Sequence, residues 1–176
     1  MMRAALFLSA ITVLAQPPTP RFEDFPSPTD WQGPAATPKL TNRWERAFRT
    51  RLREASNESP NFARHYRWTV WGCGSNCMAG AIIDLATGQV ISPPLAKGSG
   101  ALDKAIACVS AFDGTGVDVR LDSRLMVVHC GLNYDVQPDR NVPDVYYFVL
   151  ENQGFRELAH FHGKQARGLS KGESIR

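Results

Sequence analysis

No stretch of this sequence is apolar over the about 20 residues that a membrane helix needs, which excludes an integral helical membrane protein. There is no G-x-S-x-G elbow and no P-loop lysine pattern, so the common acyl-transfer and phosphate-cradling sites are missing. Gly98-Ser99-Gly100 and Gly114-Thr115-Gly116 read as loop punctuation. Basic residues are sparse: 20 Lys and Arg stand against 17 Asp and Glu, a formal charge of +3. That balance argues against nucleic acid as a partner. The histidines His65, His129, His160 and His162 have no zinc-type spacing, and no cofactor is expected.

What is present begins with export. Met1-Met2-Arg3, the apolar run Ala4–Leu14 and Val13 and Ala15 at the small-residue positions form a secretory signal, with cleavage expected near Ala15. The mature chain is then expected to be soluble and periplasmic or secreted. Export makes the four cysteines, Cys73, Cys77, Cys108 and Cys130, readable as disulfides. Cys73 and Cys77 enclose only Gly74-Ser75-Asn76, a turn able to bring two sulfurs together. Cys73–Cys77 is therefore the first expected bridge, and Cys108–Cys130 follows partly by elimination.

Seven prolines between Gln16 and Leu40 remove backbone donors and fix φ, which predicts an extended tether with Phe22, Phe25 and Trp31 able to dock on the domain. Residues 41–164 form a single domain, and residues 165–176 a mobile basic tail. Asn42 and Glu45 have capping-box spacing at the head of a helix running to Ala55, with Trp44, Ala47, Phe48, Leu52 and Ala55 on one face. Arg43, Arg46, Arg49 and Arg53 lie elsewhere and read first as a solvated face.

The period then changes to two. Strands are predicted over Tyr66–Trp71, Ala79–Asp84, Gln89–Ile91, Val117–Leu121, Leu125–Cys130, Val145–Leu150 and Phe155–Phe161. Asp84-Leu85-Ala86-Thr87-Gly88 is a turn signal with Gly88 suited to positive φ. Ala101–Phe112 fits a short helix or a buried strand. The expected fold is α+β: one antiparallel meander of about seven strands, an amphipathic N-terminal helix on one face, and disulfide bonds.

Trp71-Gly72-Cys73-Gly74-Ser75-Asn76-Cys77 is the most distinctive string. A thioredoxin-type site wants two residues between its cysteines at a helix start, and the papain-type signature wants cysteine where Asn76 stands, so the string reads as a stapled turn. Trp71, Gly74, Ser75 and Asn76 are its candidate binding loop. Aspartates are plentiful, but most adjoin turns, where backbone chemistry favours them.

Taken with Ala81-Ile82-Ile83-Asp84, Thr87-Gly88-Gln89-Val90, Asp122-Ser123-Arg124-Leu125 and Tyr146-Tyr147, this string resembles a set of small bacterial periplasmic proteins without an assigned activity. They carry a W-G-C-G-x-x-C turn, a T-G hairpin and a D-S-R-L hairpin. The resemblance covers roughly residues 62–161 and implies a Gram-negative, exported setting. A weaker likeness is to periplasmic lysozyme inhibitors, whose cysteine spacing differs and from which no residue is carried over. The leading expectation is a monomeric, non-enzymatic binder of an envelope protein, of inhibitor or immunity type. Its rivals are a small envelope hydrolase using carboxylates or His129 and His160, and a structural envelope component.

Overall fold

The computed structural model describes residues 18–27, 31–74, 77–94, 116–130, 144–152 and 154–161. The signal, the tail, Ala101–Phe112 with Cys108, and the loop residues Ser75 and Asn76 lie outside them. No helix of the described residues is long and apolar enough to cross a membrane.

The fold is mostly β. Its elements are α1 (Arg43–Ala47), α2 (Arg49–Ser56), β1 (Tyr66–Gly74), β2 (Cys77–Asp84), β3 (Val90–Ile91), β4 (Val117–Val119), β5 (Leu125–Cys130), β6 (Asp144–Glu151) and β7 (Gly154–Phe161). Every predicted strand is present and every pairing is antiparallel. The single seven-stranded meander is not. The strands divide into a three-stranded sheet, β1-β2-β3, and a four-stranded sheet, β4-β5-β6-β7, with no ladder from β3 to β4.

The division follows from burial. Strict alternation gives each strand two side-chain faces, and here both faces of both sheets are covered. Trp68, Ile82 and Ile91 of the first sheet share one core with Met126, Val128, Phe148 and Leu150 of the second, and Phe62 and Ala63 fill it from the loop before β1. The other face of the first sheet (Trp71, Ala79, Ala81, Ile83) packs on Leu52 and Ala55 of α2, with Trp31, Leu40, Trp44 and Phe48 around them. The other face of the second sheet (Leu125, Val127, Val145, Tyr147) takes Phe22 and Phe25. Four layers result: helix, sheet, sheet and N-terminal segment.

The described residues of the proline-rich segment, which include a 3-10 turn at Phe22–Asp24, form a strap held on both sheets rather than a free tether. Ser123, 1% exposed, holds one end: its hydroxyl lies 2.8 Å from the Phe22 carbonyl and 3.0 Å from that of Phe25, and accepts the Leu125 N–H. Arg120 pairs with Glu23 at 2.8 Å and lies 4.3 Å over the Phe22 ring. Further along, Ala36 N–H donates to the Leu85 carbonyl and Lys39 N–H to that of Gly88. All three predicted aromatics dock.

The capping box is present. Asn42 Oδ1 accepts the Glu45 N–H at 2.9 Å, and the buried Glu45 carboxylate returns to Asn42 N–H and to Thr41. The predicted single helix is broken at Phe48 (φ −102°, ψ 19°) into α1 and α2. Ala47, assigned to the apolar face, is exposed. The turn after β2 is built as its sequence suggests: Asp84 accepts from Ala86 N–H, Thr87 N–H and the Thr87 hydroxyl, and Gly88 has φ +78°.

Candidate functional site

β1 and β2 run further into the distinctive string than predicted. The ladder continues through Gly72↔Met78 to Gly74↔Cys77, with Cys73 the extra residue of a bulge, so the connection narrows to residues 75–76. Cys73 is disulfide-bonded. The side chains of Cys77 and Cys130, like all of Cys108, lie outside the described residues. Trp71 is not the exposed aromatic that a binding loop would want. It is buried in a three-ring cluster, 5.8 Å from Trp44 and 5.4 Å from Phe48 between ring centroids. The helix layer covers it because Trp71, Ala79 and Ala81 form the apolar floor on which that layer packs.

What the hairpin does offer is an edge. β1 is the outer strand of its sheet. The side-chain amide of Asn61 clamps the edge at Trp68, accepting its N–H at 2.7 Å and donating to its carbonyl at 3.0 Å. One step earlier, Tyr66 exchanges hydrogen bonds with the Phe62 backbone. Backbone groups along an antiparallel strand alternate sides, so Tyr66, Trp68, Val70 and Gly72 all address this edge. The first two are satisfied by residues 61 and 62. Among the described residues, Val70 and Gly72 meet no such neighbour. Gly72 is exposed, and a Cβ added there would have nothing within 4 Å.

Open edges are normally blunted by charge, proline or a bulge facing the opening. Val70-Trp71-Gly72 carries neither charge nor proline. β7, an outer strand of the other sheet, also carries an extra residue, Leu158, but differs from β1 in the charged Arg156 and Glu157 beside it. The Asn61 clamp escaped the reading of the sequence, because an asparagine before a strand gives no sign that its amide will imitate a neighbouring strand.

Among the described residues the histidines do not converge. His129 pairs across the ladder with Val145, whose face packs on Phe22 and Phe25, whereas His160 pairs with Tyr146 on the face toward the first sheet. They occupy opposite faces of one sheet. His129 Nε2 meets Asp118 Oδ2 at 2.9 Å. His160 stacks on Tyr146 with centroids 3.7 Å apart and lies 3.7 Å from Asp144. His65 lies 3.6 Å from the buried Asp84, which is committed to its turn. Burial, then the carboxylates of Asp144 and Glu157, hold the Tyr146 phenol above its ordinary pKa, and burial followed by Asp84 does the same for Tyr66. A phenol held above its ordinary pKa stays protonated at neutral pH, so neither is poised as a general base. His162 lies outside the described residues. Among the described residues, no three His, Cys, Asp or Glu side chains are grouped to hold a metal ion.

No family model, curated protein or solved structure matches this chain.

Proposed function

We propose that this chain is an exported, non-enzymatic protein-binding domain of the bacterial envelope, and that its contact element is the far end of the β1–β2 hairpin. The observation that carries the reading is the edge of β1, clamped by Asn61 as far as Trp68 and, among the described residues, left open at Val70 and Gly72. An open edge of this kind receives an extended segment of a partner, whose main chain supplies hydrogen bonds and whose side chains supply selectivity. The Cys73 bridge, which we assign to Cys77, would stiffen the hairpin end and reduce the ordering that binding requires. The resemblance to small periplasmic proteins, and the signal at Met1–Ala15, support the envelope setting. A hydrolase built on His129 and His160 together is disfavoured by their placement on opposite faces of a sheet.

The mature chain, immobilised and exposed to envelope extract, should retain a defined partner, and Ser75→Arg should reduce that retention at least about tenfold by placing a long charged side chain at the contact. Equal capture by both forms would remove the hairpin end as the contact. No retained partner at all would remove the binding function and return weight to the hydrolase reading.

A further inference from the structure

A second surface stands apart from the hairpin edge. α1 and α2 carry five arginines, Arg43, Arg46, Arg49, Arg51 and Arg53, and no lysine. At about 100° per residue, Arg43, Arg46, Arg49 and Arg53 fall within about 120° of one another and span about 15 Å of helix. The break at Phe48 does not divide them, since Phe48 N–H bonds to the Trp44 carbonyl and Leu52 N–H to that of Phe48. All four are exposed.

The packing dictates where they point. Leu52, Ala55, Trp44 and Phe48 are taken up against the first sheet, so the arginine row must face outward. Its charge is not cancelled locally. Glu45 is buried in the capping box, and Glu54 pairs with Arg51, which lies off the row. Arg46 and Arg49 donate to backbone carbonyls, and among the described residues none of the four meets a carboxylate. Guanidinium groups bind phosphate through two parallel N–H donors and shed water more readily than ammonium.

We propose that this row seats the protein on an anionic bilayer surface by pairing with lipid phosphates. The charge of the row is complementary to such a surface, and an outward-facing row on a covered layer suits a plane. The rings nearest it, Trp44 and Phe48, are packed beneath the helices against Trp71, and so offer no platform for stacking bases, as single-stranded nucleic acid would require. The attraction is electrostatic and has no apolar anchor, so it is reversible and sensitive to salt. It does not rest on the hairpin reading.

The test uses the mature chain and sedimentation with vesicles of phosphatidylcholine alone or mixed with phosphatidylglycerol. Binding is expected to the mixed vesicles only, and to vanish at about 0.5 M salt. Replacing Arg46, Arg49 and Arg53 together by Gln should lower the partition coefficient at least about tenfold, with the melting temperature checked in parallel. Lys at the same three positions should largely retain binding, which separates charge from fold. Arg51→Gln, off the row, should change it little. Equal partition of wild type and the Gln variant, or no preference for the anionic vesicles, overturns the proposal. So does binding to a DNA duplex without binding to vesicles.

Discussion

Replacing Phe62 by alanine is expected to destabilise the protein by about 4 kcal/mol, measured as the shift in the urea unfolding midpoint at constant slope. Phe62 is fully buried and belongs to the core built from both sheets. It stacks on Phe155 of β7 with centroids 6.2 Å apart and faces Tyr66 of β1 at 6.3 Å. One side chain therefore touches both sheets from a loop belonging to neither. Its removal leaves a cavity that neither sheet can close alone, since their ladders hold their strands in register. Leu121→Ala is the comparison: Leu121 is 44% exposed, and its loss should fall within about 0.5 kcal/mol. A Phe62→Ala cost below about 1 kcal/mol would mean that the sheets do not share this core.

Gly88→Ala should cost about 3 kcal/mol, from a left-handed backbone and a steric collision acting together. Gly88 has φ +78°, and an added Cβ would lie 2.2 Å from the Thr37 carbonyl oxygen, a backbone atom that cannot swing aside. The strap must then lift, taking with it the hydrogen bond from Lys39 N–H to the Gly88 carbonyl. The amides of Ala36 and Lys39 should accordingly exchange faster in the variant, while those of β5 and β6 are unchanged. A variant as stable as wild type, with Lys39 still protected, would contradict the seating of the strap.

These two residues also mark how far the sequence could be read. Gly88 was legible: Asp84-Leu85-Ala86-Thr87-Gly88 is a turn whose side-chain acceptor and final glycine are set by local chemistry alone. The capping box of Asn42 and Glu45 was legible for the same reason. Phe62 was not, because a lone aromatic in an aperiodic stretch gives no sign of the core it will enter. The split into two sheets was hidden by burial on both sides. β6 reads Val145-Tyr146-Tyr147-Phe148-Val149-Leu150, apolar on both faces, and such a strand announces neither which face meets the other sheet nor which sheet it joins. A strap and a tether read alike in the sequence, because proline erases periodicity without saying whether the extended chain is held. At the candidate site, the hairpin was anticipated. Trp71 was misplaced because an aromatic beside a turn fits a core as well as a surface, and the open edge could be found only from the side on which each backbone group points.

The most direct measurement compares Gly72→Ala with Gly72→Pro in partner capture. A Cβ at Gly72 meets nothing within 4 Å, and its N–H faces the open edge, where proline is tolerated in sheets. Both variants should therefore melt within a few degrees of wild type. Alanine keeps the N–H that a partner strand must use, and proline removes it. The account predicts that Gly72→Ala captures the partner as wild type does and that Gly72→Pro loses it at least about tenfold. Equal capture by two folded variants would show that no strand is added at β1.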